Sequence, residues 1–256
     1  MTTRRFKLIG LALFGAALFL TLDAAPALAD DTQVAVAANF TDPAKEIAAA
    51  FKAKTGHTAI LSFGSSGQFY TQMVHGAPYE VFLSADAERP RKAEQDGLAV
   101  AGSRFTYAVG RLVLYSTTPG LVDAKGAVLK TDRFAKLAIA DPTAAPYGAA
   151  AVQTMQTLKV YDTLAPKIVK GASITQAYQY VATGNAELGF VALSQVINEP
   201  GGSRWVVPAA RHAPIDQQAV LLRTGEKNPA AKAFVTFLKS PTAVAIIKRY
   251  GYEARP

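Results

Sequence analysis

The chain has 256 residues, a formal charge of +8 and no cysteine. The lack of thiols excludes disulfides and thiolate metal sites, and the basic residues are scattered, without a run or aromatic interleaving, which argues against a nucleic-acid surface. Enough chain remains for one large domain or two lobes of about 100 residues each, held together by packing.

The first 29 residues carry the three parts that an export machinery reads. Arg4, Arg5 and Lys7 form a basic start, residues 8–22 are almost wholly apolar, and Ala27-Leu28-Ala29 before Asp30 is an A-x-A cleavage site. A bilayer crossing needs about 20 apolar residues, so this run and the helix-breaking Pro26 predict a removed signal peptide over residues 1–29 and an exported, periplasmic protein. Its removal takes away three basic residues and Asp23 and leaves 227 residues with a charge of +6.

From Asp30 onward, short β-like runs alternate with helical segments, which predicts an α/β architecture with largely parallel sheets. Residues 33–38 read as a buried strand, and Ala44, Ile47, Ala48 and Phe51 then recur at helical spacing behind Asp42-Pro43. Residues 58–63 give a second strand, and Gly64-Ser65-Ser66-Gly67 turns into a helix carrying Phe69 and Met73. Gly76-Ala77-Pro78 breaks that helix, 81–83 read as strand and 87–95 as a polar helix. Strands are predicted at 111–116, at 137–140 before the Asp141-Pro142 turn, and at 188–193. Helices are predicted from Pro146-Tyr147-Gly148, over 174–182, from Asn228-Pro229, and from Ser240-Pro241 to a stop near Gly251.

Three strand-to-helix turns stand out: Ala38-Asn39-Phe40, Ser65-Ser66-Gly67 and Pro146-Tyr147-Gly148. The first four N–H groups of a helix lack intrahelical partners and carry the positive end of its dipole, so such turns suit an anion without a basic side chain. Ser66 offers a hydroxyl donor and Asn39 an amide donor. Taken singly, each turn is better explained as an ordinary helix start.

Their order resembles that of periplasmic molybdate-binding proteins of ABC transporters, over nearly the whole chain after residue 29. Val34-Ala35-Val36-Ala37-Ala38-Asn39-Phe40 looks like that family's opening strand and first ligand loop, and Ser62-Phe63-Gly64-Ser65-Ser66-Gly67-Gln68 like its second. Gly76-Ala77-Pro78-Tyr79-Glu80-Val81-Phe82-Leu83-Ser84-Ala85-Asp86 is similar to its most recognisable run, with Glu80 where Asp is usual. Asp141-Pro142 with Pro146-Tyr147-Gly148 looks like the third loop.

The resemblance implies a two-lobed, type II periplasmic binding protein fold with mixed, mostly parallel sheets flanked by helices and the ligand in the interlobe cleft. It also implies lobe 1 from residues 30–110 and 214–256, and lobe 2 from 111–213. The function implied is capture of molybdate or tungstate and delivery to a membrane permease driven by an ATPase, by a monomer without a cofactor. Implied contacts come from Asn39, Ser66, Tyr147 and Ile174, mostly through main-chain N–H groups, with Ser65 as a neighbour. Gly189-Phe190-Val191 is followed by Ala192 where many members have Tyr, so Tyr147 is expected to supply an aromatic wall in its place.

Three rivals are weighed against this reading. A receptor for another tetrahedral oxyanion, such as sulfate, stays open, because size discrimination is not visible in sequence. A ferric-iron receptor would use Tyr147, Tyr178 and Tyr180, but Tyr178 and Tyr180 are two apart on a predicted helix and do not share a face. A hydrolase would need G-x-S-x-G, which Gly64-Ser65-Ser66-Gly67 does not match, and His57, His75 and His212 have no evident Ser and acid partners, so no enzyme is expected.

Overall fold

The computed structural model describes residues 30–254 together with Thr2; the predicted signal peptide at 1–29 lies, apart from Thr2, outside the described residues. In chain order the strands and helices are β1 (Asp31–Ala37), α1 (Thr41–Thr55), β2 (Thr58–Gly64), α2 (Ser66–Val74), β3 (Val81–Leu83), α3 (Glu88–Gln95), β4 (Phe105–Gly110) and β5 (Leu112–Ser116). Then come β6 (Leu137–Ala140), α4 (Pro146–Thr157), α5 (Tyr161–Leu164), β7 (Ile168–Gly171), α6 (Ile174–Ala182), β8 (Leu188–Ala192), α7 (Leu193–Val196), β9 (Ser203–Val206), β10 (Ile215–Leu221), α8 (Pro229–Phe237) and α9 (Pro241–Arg249).

Two five-stranded sheets form, ordered β2-β1-β3-β10-β4 and β7-β6-β8-β5-β9. Each is mixed. β1 pairs in parallel with β2 and β3, and β6 with β7 and β8, whereas β10 runs antiparallel to β3 and β4, and β5 antiparallel to β8 and β9. Antiparallel pairings therefore equal the parallel ones, four against four among the described residues, where the alternation of elements predicts mostly parallel pairing. The cause is the chain crossing: β5 and β10 each enter a sheet from the other one, and a strand arriving without a βα crossover is free to run antiparallel.

Period-two alternation explains the layering of the first sheet. Val34, Val36, Val81, Leu83, Ala219 and Leu221 face one way, into a core completed by Ile47 and Phe51 of α1, Phe234 of α8 and Ile247 of α9. The residues between them, Ala35, Phe82 and Val220, face the opposite way, against Phe69 and Met73 of α2 and Ala93 of α3. β3 and residues 34–37 of β1 thus bury both faces, which is why they read as unbroken apolar runs. The second sheet has its own core, centred on Leu112, Leu114, Ile139 and Phe190 with Met155 of α4 and Val181 of α6.

The predicted opening strand stops one residue early. Ala38–Phe40 form a 3-10 turn that runs directly into α1, and Thr41 Oγ1 donates to the Ala38 carbonyl at 2.8 Å. Asp42-Pro43 therefore lies inside the first turn of α1 rather than at its cap. Later starts follow the sequence signals: Ser240 Oγ accepts from Ala243 N–H at 3.3 Å and Asn228 Oδ1 from Ala230 N–H at 2.8 Å, each followed by Pro at the first helical position.

The chain leaves the first sheet at Gly110, enters the second at Leu112, and returns before Ile215. The two sheets' ligand-side turns meet face to face. Gly67 N–H donates to Ala144 O (2.9 Å), Arg89 Nη2 to Thr143 O (3.0 Å), Thr175 Oγ1 to Ala38 O (3.3 Å) and Ser194 Oγ to Asn39 O (2.8 Å), each bond joining an element of one sheet to an element of the other.

Candidate anion site

A small cavity lies where these turns meet, lined by Ala37, Ala38, Asn39, Gly64, Ser65, Ser66, Ala85, Ala145, Pro146, Tyr147 and Ile174. The expected contact residues Asn39, Ser66, Tyr147 and Ile174 all lie on its wall and are each at least 95% buried. No lining residue is charged.

Three helices begin at this wall. Ser66 is the first residue of α2, Ile174 the first of α6, and Tyr147 the second of α4, so their N–H groups have no acceptor within their own helices. Each helix is at least nine residues long, and the three dipoles place partial positive charge on one small volume. Gly67 N–H, by contrast, is taken by the Ala144 carbonyl and serves the contact between the halves.

Ser66 Oγ accepts from Ala85 N–H at 2.9 Å, which leaves its proton to donate elsewhere. Ser65 and Gln68 have the arrangement of a capping box, but only one arm bonds: Gln68 Oε1 accepts from Ser65 N–H at 3.3 Å. Ser65 Oγ is buried on the cavity wall without a partner among the described residues. A buried hydroxyl left unpaired costs about 1–3 kcal/mol, so a polar ligand there would relieve that cost.

The side chain of Asn39 corrects one expectation. Its Nδ2 donates inward, to Gln217 Oε1 at 2.8 Å and to the Tyr252 hydroxyl at 3.0 Å, so both amide hydrogens are committed to the protein. The predicted amide donor is therefore not available to a ligand oxygen, and the residue's main chain is what faces the cavity. Tyr147 behaves similarly: the residue lines the cavity, while its hydroxyl accepts from Gln217 Nε2 at 3.2 Å. Ala192 is not on the wall, and Gln195 Oε1 accepts from its N–H at 3.0 Å.

Behind the wall these groups form one buried network. The Asn39 carbonyl accepts from the Tyr252 hydroxyl (2.7 Å) and from Ser194 Oγ (2.8 Å), and the Tyr107 hydroxyl reaches Gln217 Oε1 (3.1 Å) and Ser84 O (3.2 Å). Burial holds the Tyr107 and Tyr147 phenols well above their usual range, and pushes Tyr252 up to about 12 against the opposing pull of its hydrogen bonds to Ser194 and Asn39. All three stay protonated at neutral pH. Gln217, Tyr107, Tyr252 and Ser194 were not singled out from sequence; the usable signal was the polar stretch Asp216-Gln217-Gln218 between Ile215 and the apolar residues 219–222.

The rival chemistries find no constellation. His57 Nδ1 accepts from Asp30 N–H, His75 Nδ1 lies 2.7 Å from Thr71 O, and His212 Nδ1 lies 2.7 Å from Ala213 O, so none is paired with Ser65 or Ser66. Tyr178 donates to Glu199 at 3.0 Å, and no cluster of three His, Cys, Asp or Glu suited to a metal occurs among the described residues.

Comparison with known proteins gives the lineage. Residues 32–253 match the model of the bacterial extracellular solute-binding protein family. The chain belongs to that family. It is 62% identical over 229 residues to the molybdate-binding protein ModA of Rhodobacter capsulatus, covering 90% of each chain. Against the molybdate-binding protein ModA of Azotobacter vinelandii it is 57% identical over 232 residues, covering 90% of this chain and 92% of that one. The solved structure of an Azotobacter vinelandii periplasmic molybdate-binding protein superposes with a TM-score of 0.85 at 44% identity, covering 88% of this chain and all of that one. As a member of this family the chain is a two-lobed solute receptor and not an enzyme.

Proposed function

We propose that this receptor captures molybdate, or the closely similar tungstate, in the periplasm and presents it to a membrane permease driven by an ATPase. The observation that carries the reading is the convergence of three helix N-termini and two serine hydroxyls on one small cavity without a charged side chain. A compact, fully ionised dianion with oxygens in every direction is the ligand such a wall suits. The names of the relatives at 62% and 57% identity support the same ligand.

The contacts proposed are the main-chain N–H groups of Asn39, Ser66, Tyr147 and Ile174 and the hydroxyls of Ser66 and Ser65. Hydrogen phosphate is disfavoured, because its proton needs an acceptor and no carboxylate lines the wall. The lobes are proposed to divide as 30–110 with 214–256, and 111–213, which agrees with the membership of the two sheets. Closing them brings turns from both sheets onto the anion together, so binding and closure stabilise each other. A cleaved leader over 1–29 and a monomeric receptor complete the proposal.

Titration calorimetry of the exported protein, stripped of ligand, with molybdate, tungstate, sulfate and phosphate tests this. Tight binding of the first two with weak sulfate and no phosphate is expected. Heat from none of the four would overturn the oxyanion reading.

A further inference from the structure

Gln217 is fully buried on β10, at the point where the pairing register with β4 shifts between Gln217 and Gln218. Its amide joins two cavity-wall residues that follow strands of different sheets. Oε1 accepts from Asn39 Nδ2 (2.8 Å) in the turn after β1, and Nε2 donates to the Tyr147 hydroxyl (3.2 Å) in the first turn of the helix after β6. Tyr107 steadies the same Oε1 from β4 at 3.1 Å. Gly110, where the chain crosses between the sheets, leaves the space for this contact. A Cβ there would lie 2.2 Å from the Tyr147 hydroxyl and 2.7 Å from Gln217 Nε2.

We propose that Gln217, in the space left by Gly110, is a specificity-determining positioning residue that fixes the spacing between the first and third anion-binding turns. The inference rests on the oxyanion reading above. Asn39 and Tyr147 bring their N–H groups from opposite sides of the cleft, so the distance between them sets which tetrahedral anion all donors can reach at once. An amide is suited to this position because it accepts on one side and donates on the other; an aliphatic side chain of similar size fills the volume but removes one acceptor each from Asn39 Nδ2 and the Tyr107 hydroxyl, and the donor to the Tyr147 hydroxyl. Once the spacing relaxes, the larger anion loses its advantage over the smaller one.

The test compares molybdate and sulfate affinities by calorimetry in the full-length exported protein for the wild type, Gln217→Leu, Gly110→Ala and the remote cap variant Ser240→Ala. Melting temperature is recorded for each. For Gln217→Leu and Gly110→Ala the molybdate-to-sulfate affinity ratio is expected to fall at least tenfold, whereas Ser240→Ala lowers the melting temperature and keeps the ratio. A ratio within twofold of wild type in folded Gln217→Leu would show that the amide only stabilises the core, and would overturn the proposal. If Gln217→Leu does not fold, Gly110→Ala decides by the same criterion. Absence of oxyanion binding in the wild type would instead sink the functional reading, and this inference with it.

Discussion

Ser66 and Ser65 are neighbours with different positions in the hydrogen-bond scheme. Ser66 Oγ is anchored by Ala85 N–H, which aims its proton; Ser65 Oγ has no partner among the described residues and is buried on the same wall. A hydrogen bond to a charged group contributes about 1.5–3 kcal/mol, so Ser66→Ala is expected to weaken molybdate binding about 10- to 100-fold. Unchanged affinity on titration would remove the hydroxyl from the ligand set. Ser65→Ala should also weaken binding while raising the melting temperature of the ligand-free protein, because it deletes an unpaired buried hydroxyl. Gly67 has a different reason for its identity: a Cβ would come 2.9 Å from the Ala144 Cα on the opposite side of the cleft. Gly67→Val is thus expected to hold the halves apart and abolish binding, a loss that equilibrium dialysis with molybdate would detect.

Individual elements are tied together by polar residues that the periodicity does not reveal. Glu80 accepts from Gln33 N–H of β1 at 3.2 Å and from Asn228 Nδ2 at the cap of α8 at 2.8 Å. Its carboxylate therefore fastens the loop before β3 to a strand and to a helix start. Glu80→Ala should cost about 1–3 kcal/mol of stability through the stranded donors, read from urea unfolding, with molybdate affinity nearly unchanged. Much of this level was legible beforehand: α6 and β6 fall on the residues their spacing predicts, because amphipathic and fully buried periods are local signals. β4, β7, β9 and β10 were not read as strands. Polar or edge positions such as Thr106, Lys170, Arg204 and Gln217 break their apolar runs.

At the scale of the molecule, the three phenols of the network make stability sensitive to alkali. Unfolded tyrosines titrate near about 10, whereas Tyr252 is held at about 12 and Tyr107 and Tyr147 well above the usual value. The sign follows from proton release: above pH 10 the unfolded chain loses protons that the native state retains, so stability is full below that pH and falls across roughly pH 10–12. Urea midpoints measured from pH 8 to 12 should decline in that window, and Tyr252→Phe should flatten the decline. An identical slope in the variant would place the alkaline sensitivity elsewhere.

The sequence by itself determined the alternation of strands and helices, the three strand-to-helix turns, and the export-like leader, since each depends on residues close together in the chain. It also placed Asn39, Ser66, Tyr147 and Ile174 as candidates, through resemblance rather than geometry. Only the tertiary structure brought those four onto one cavity wall, turned the Asn39 amide away from the ligand, and assigned the opposing amide groups of Gln217 to turns of different sheets. Those decisions depend on contacts between residues 70 to 213 positions apart, such as Gln217 with Tyr147 and Asn39 with Tyr252, and on how two sheets meet. No local pattern encodes such contacts, because the physical requirement that buried donors find acceptors is met only once the distant segments have packed together.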